Sequence, residues 1–169
     1  MPVFVVLLRA VNVGGTGKLP MGDLKRLCEK AGFRNVRTYI ASGNVVAEWP
    51  GAEAEAKVAL EAELRTYAGK PVGMIVRTAA EMSEVVASNP FPDRSASRTV
   101  AIFLDHASPA DALKDVKGQT NEEARLGPRE IYVHYPDGIG RSKLRIPAAR
   151  DGTVRNMNTV SKLVAMAAE

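Results

Sequence analysis

The chain has 169 residues, of which 46% are hydrophobic and 25% charged, with a formal net charge of +4. This is ordinary globular composition, long enough to bury a core unaided, and it excludes a disordered or disulfide-stapled chain. Apolar runs such as 3–8 and 100–104 are strand-length, far short of a membrane span, and no signal-peptide pattern precedes them, so a cytoplasmic protein with no membrane partner is expected.

Residues 3–9 (VFVVLLR) predict a strand, and Pro20 followed by apolar residues at helical spacing predicts a helix over 20–31, ended by Gly32. Two strands follow, 36–41 and 45–49, joined tightly through Ser42, Gly43 and Asn44 as a hairpin. Pro50 and Gly51 stop the second. The Ala, Glu and Leu content of 52–67 predicts a helix, and 72–77 (VGMIVR) a fourth strand. The order is βαββαβ, the ferredoxin-like order.

After a helix at 79–88, the Pro- and Ser-rich stretch NPFPDRSAS marks a linker. Beyond it come a strand at 99–105, a helix around 109–115, strands around 122–126 and 131–135, and a final helix from Thr153 to Ala167. This repeats βαββα. The expected fold is therefore α+β, two ferredoxin-like (βαββαβ) repeats packed together. The first spans 1–94 with its connecting helix, and the second, degenerate, 95–169. Because 3–8 and 100–104 are apolar at consecutive positions rather than alternating, both faces of each sheet should be covered, by the other half or by a second copy in a homodimer.

The single cysteine, Cys28, shares helical spacing with Met21, Leu24, Leu27 and Ala31 and reads as a core thiol. The two histidines, His106 and His134, lie far apart without a ligand pattern around either, so no metal site is expected, and no motif calls for a cofactor. Charge placement is more informative. Between Arg141 and Arg155 stand five basic residues and one acidic residue, which carry the net charge of the whole chain. Such a segment attracts phosphate and other anions, or is simply a solvated surface.

The loop 12–18 (NVGGTGK) invites comparison with a phosphate loop. Gly17 and Lys18 fit, but Asn12 replaces the first glycine and Leu19 the hydroxyl residue that would hold magnesium, so a nucleoside triphosphatase is rejected. A looser anion nest, or a plain tight turn, remains. Ser42 and Asn44 can bind a ligand or bond to their own backbone. Tyr135-Pro136-Asp137-Gly138 is a turn signature leading to Ser142 and Lys143. A serine beside a lysine can act as a nucleophile with an amine base. Neighbours on an extended strand point to opposite faces, however, and Ser142 reads better as an anion contact. In the last helix Met157, Val160, Leu163, Val164 and Ala167 form the apolar stripe, leaving Arg155, Asn158, Thr159 and Lys162 on the other face near its start. Arg155 with Asn158 is the strongest phosphate or carboxylate clamp, against the simpler reading of a capped surface helix.

The segments 8–15 (LRAVNVGG), 38–45 (TYIASGNV), 89–91 (NPF), 138–143 (GIGRSK) and 155–160 (RNMNTV) together closely resemble the uncharacterised bacterial family catalogued as domain of unknown function 1697. The resemblance spans nearly the whole chain and implies two ferredoxin-like repeats. It supplies no catalytic residues. It marks Arg9, Asn12, Lys18, Ser42, Asn44, Ser142, Lys143, Arg155, Asn156 and Asn158 as polar positions for a structure to gather or scatter. The family pattern often has tryptophan where this chain has Met157.

Three functions compete. The first is a binding domain for an anionic ligand, whether nucleotide, nucleic acid or phosphorylated metabolite. Sheet-face stacking of bases is disfavoured there, because only Phe4 and Trp49 are aromatic on the strands that would do it. The second is an enzyme acting on a small phosphorylated or carboxylated metabolite, with Ser142 as a reactive hydroxyl; no acid-base pair supports a particular reaction. The third is a structural or regulatory interaction module.

Overall fold

The computed structural model describes residues 1–9, 19–40 and 43–169. The chain forms two compact units, Met1–Met82 with Leu163–Glu169, and Ser83–Lys162.

The first unit contains β1 (Val3–Leu8), α1 (Met21–Ala31), β2 (Arg34–Tyr39), β3 (Asn44–Glu48), α2 (Glu53–Ala68) and β4 (Met74–Thr78). Its sheet is wholly antiparallel in the order β2-β3-β1-β4. The helix ends follow from local chemistry. Gly32, at φ 115°, closes α1 in the left-handed region and turns its N–H back onto Cys28 and Glu29. The Glu55 carboxylate accepts the Ala52 N–H at 3.2 Å, half of a capping box at the start of α2. Phe4, Val6 and Leu8 on one face of β1 pack with Leu24 and Cys28 of α1 and Leu60 and Leu64 of α2. Burying each of these leucines contributes roughly 1.5–3 kcal/mol. Cys28 is fully buried, and burial pushes its thiol up to about 12, so the core reading of this residue stands. Val5 and Leu7 on the opposite face are equally buried, as the unbroken apolar run requires.

α3 (Ala79–Ala87) links the units and opens with a reciprocal capping box. Thr78 Oγ1 accepts the Glu81 N–H at 3.1 Å while Glu81 accepts the Thr78 N–H at 2.9 Å.

The second unit carries β5 (Thr99–Phe103), β6 (Glu123–Leu126), β7 (Glu130–His134) and β8 (Thr153–Asn156), antiparallel in the order β6-β7-β5-β8; α4 (Met157–Ala167) follows, its residues from Leu163 on belonging to the first unit. Val100, Ile102, Ile131 and Val133 form a cluster with Ala112 and Ile146. The Tyr132 hydroxyl donates to the Val85 carbonyl of α3 at 2.8 Å.

Two expectations are corrected here. Residues 109–115 form turns rather than a helix, held by bonds such as Ala112 N–H to Pro109 and Lys114 N–H to Asp111. A stretch this short does not overcome the cost of nucleating an α-helix. The last helix begins at Met157 rather than Thr153, because the β-branched pair Thr153 and Val154 extends into β8 beside β5. Asn156 then caps α4, its Oδ1 accepting the Thr159 N–H at 2.9 Å. Arg155 consequently lies on a strand, and Thr159 is buried rather than on an exposed face. Met157 is core, as its spacing indicates. Among the described residues no helix is long and apolar enough to cross a membrane.

Candidate functional site

The chemistry-bearing groups that the second unit brings together come from its two crossings that hold no α-helix, 104–122 and 135–152. After β7, Pro136 and Asp137 turn the chain, with Gly138 at φ 86° donating its N–H to the Tyr135 carbonyl at 3.0 Å. A single 3₁₀ turn, Ile139–Arg141, then delivers Ser142. The Ser142 hydroxyl donates to the Glu122 carboxylate, and its oxygen accepts the Leu144 N–H at 3.0 Å. Glu122 also accepts the Thr120 N–H at 2.7 Å and the Thr120 hydroxyl at 3.2 Å. These donors, Ser142 foremost and the Thr120 backbone next, hold the Glu122 carboxyl at about 2, well below its ordinary value. Asp137 accepts the Asn121 amide at 2.9 Å. Together these residues border a cleft of about 130 Å³, with Tyr135 and Arg141 completing its wall.

A carboxylate as acidic as Glu122 is a weak base, poorly matched to removing the Ser142 proton near neutral pH. The pair therefore acts as a fixed acceptor and its donor, which shape the cleft.

Next to the cleft lies a cationic edge. Lys117 and Arg145 form an isolated antiparallel bridge, with Lys117 N–H to Arg145 O at 2.9 Å and Arg145 N–H to Lys117 O at 2.7 Å. The bridge brings Lys117 alongside the basic segment, where Arg141, Lys143 and Arg145 are all exposed. Among the described residues none of these four side chains forms an ion pair. Gly118, at φ 70°, makes the approach feasible, because a Cβ there would sit 2.8 Å from the Lys143 carbonyl carbon.

Of the residues singled out from sequence, Asn12, Lys18 and Ser42 lie outside the described residues. Arg9 is exposed just past β1, its N–H bonded to the Gly73 carbonyl at 2.9 Å. Asn44 is fully buried on β3 and donates to the Tyr39 carbonyl at 2.9 Å, the local backbone role. Arg155 is buried on β8, where one guanidinium nitrogen donates to the Val154 carbonyl at 2.9 Å and burial pushes the group down to about 10. Asn156 is the helix cap, Asn158 is exposed on the first turn of α4, and Lys143 is on the cationic edge. Ser142 lines the cleft. The sequence reading passed over Glu122, Thr120, Asn121 and Lys117. A polar run after Gly118 was the only local sign of the first three, and Lys117 gained its place through a long-range pairing that leaves no local signature. Among the described residues no group of acidic, histidine or cysteine side chains is arranged to hold a metal ion.

A family model described as protein of unknown function (DUF1697) matches residues 1–132. The chain belongs to the DUF1697 family. Within this DUF1697 protein the match takes in Lys117 and Thr120–Glu122, while Tyr135–Arg145 lie beyond it. No curated protein matches the sequence. Among solved structures, a conserved bacterial protein, SP0830 from Streptococcus pneumoniae, is similar, with a TM-score of 0.80 and 20% identity, covering 98% of each chain. At that identity the likeness concerns the fold.

Proposed function

We propose that this DUF1697 protein is a binding domain for an anionic ligand, a nucleotide, nucleic acid or phosphorylated metabolite, and that it binds along the cationic edge of the second unit. The observation that carries this reading is the Lys117–Arg145 bridge, which draws a lysine from a separate segment into line with Arg141, Lys143 and Arg145. Four exposed cations without carboxylate partners among the described residues leave their charge available to a ligand. Phe4 is buried and Trp49 packs against Phe33 at 4.9 Å between ring centroids, which supports contact by loops rather than by a stacking sheet. We also read the two sheets as duplicated ferredoxin-like repeats. In support, the first, second, third and fourth strands of each unit take the same places, second-third-first-fourth, across the sheet.

The test is binding of short fluorescent oligonucleotides and phosphorylated metabolites followed over a salt series. If three phosphates are engaged, log affinity for a single strand should fall with log salt at a slope of about −2. Replacing Lys117, Lys143 and Arg145 together by alanine should flatten that slope. Absence of binding, or binding indifferent to salt and to the triple replacement, overturns the proposal.

A further inference from the structure

The segment 89–98, by which the chain passes from α3 to β5, takes no part in the cationic edge, although its first three residues, NPF, carry part of the family resemblance. Its groups converge instead on His134, at the end of β7 and only 6% exposed. Thr99 Oγ1 lies 2.9 Å from His134 Nδ1 and 2.9 Å from the Ser95 carbonyl. A carbonyl only accepts, so the single hydroxyl proton goes to Ser95, and Nδ1 must donate to Thr99. The neutral imidazole thus carries its proton on Nδ1, and a second proton would bind at Nε2. The Phe91 ring packs against the imidazole at 6.0 Å between centroids, and Asn89 Oδ1 accepts the Phe91 N–H at 2.9 Å.

Charge makes the neutral state the one that fits. Among the described residues Arg94 and Arg98 face the imidazole from the segment, and Glu123, opposite His134 in the register, faces it from β6; β5 contributes the uncharged Thr99. Glu123 is already shared between Arg94 at 2.9 Å and Arg125 at 3.9 Å. A proton on His134 would add a third cation to that one carboxylate. Burial first, then Arg94 and Arg98 against Glu123, push the imidazole below its ordinary value of 6.5. Both repelling cations and the covering Phe91 ring belong to the same segment. β7 is held between β5 and β6, whereas the segment has only a 3₁₀ turn at 96–98, so the segment is the part able to give way.

We infer that His134 is a proton-sensitive latch: neutral, it holds the 89–98 segment against the second sheet, and protonated, it repels Arg94 and Arg98 and lets the segment lift. A base disfavoured in its charged form by the closed state leaves closure untouched well above 6.5 and opposes it as pH falls below that value. Residues 90–94 also form one wall of a cleft of about 170 Å³, with Glu123 and Arg125 opposite, so lifting would reshape that cleft.

The His134 imidazole is titrated by NMR, its signal told from that of His106 by its absence in His134→Asn. Hydrogen exchange at the Phe91, Arg94 and Arg98 amides, corrected for its intrinsic pH dependence, is compared at about pH 7.5 and about pH 5.5. Wild type should titrate below 6.5. Its three segment amides should lose protection at the lower pH by up to about tenfold, the ratio of charged to neutral imidazole one unit below its ordinary value, while the amides of β5 keep theirs. The Asn side chain can donate to Thr99 in place of Nδ1 but takes up no proton, so His134→Asn should show no such loss. Arg94→Gln should move the titration of His134 upward. Titration at or above 6.5, segment protection indifferent to pH, an equal loss in His134→Asn, or a titration unmoved by Arg94→Gln each overturns the latch.

Discussion

Replacing Gly118 by alanine tests whether the cationic edge is held by the clasp between Lys117 and Arg145. Gly118 has φ 70°, where a residue with a Cβ is disfavoured by roughly 1–2 kcal/mol. The added methyl would also overlap the Lys143 carbonyl, its carbon 2.8 Å away, so the two segments must separate. Separation breaks the two backbone bonds of 2.9 and 2.7 Å between Lys117 and Arg145, each with a net worth of about 1 kcal/mol. The combined loss is about 3 kcal/mol, read from urea unfolding, and hydrogen exchange should speed up at the Lys117 and Arg145 amides while those of β5 and β7 stay protected. Anion affinity should fall as well, although no cation has been removed. A Gly118→Ala protein within about 0.5 kcal/mol of wild type, with both amides still protected, would refute the view that this contact aligns the edge.

Tyr132→Phe removes the donor to the buried Val85 carbonyl and should lower stability by about 1–2 kcal/mol in urea unfolding without altering ligand binding. Asn156→Ala removes the cap of α4 and should cost about 1 kcal/mol, with most of it restored by Asn156→Asp. Glu122 has its carboxyl depressed from 4.5 to about 2, so its contribution to stability is complete above pH 4.5 and is lost as pH falls toward 2. Urea midpoints measured stepwise through that window should decline in wild type, and the decline should shrink in Glu122→Gln, which can no longer titrate.

Elements whose ends are set by local chemistry were legible in the sequence. Pro20 and Gly32 bracket α1 within a residue of the expected bounds, and the apolar runs of β1 and β5 announce strands buried on both faces. Errors arose where two tendencies compete. The helical spacing of Met157 to Ala167 invites extension backward over Thr153–Asn156, where two β-branched residues and a capping asparagine favour a strand ending in a helix start. That extension put Arg155 on a helix surface when it belongs to a buried strand. Ser142 could be found from its turn and its neighbours. Glu122, which gives Ser142 its partner, and Lys117, which completes the cationic edge, are brought there by pairings distant in sequence, and periodicity carries no information about such pairings.

The second unit places its two long crossings outside any α-helix and ties them to each other through the Lys117–Arg145 bridge. A helix packed across a sheet has to keep its apolar stripe in register with the strands below, whereas a loop secured at one point can lengthen, shorten or change its side chains on either side of that point. The four strands can then persist as a constant frame while the crossings diversify. Relatives that share this sheet are expected to differ in length mainly at 104–122 and 135–152, and with those lengths to differ in the size and charge of what they bind.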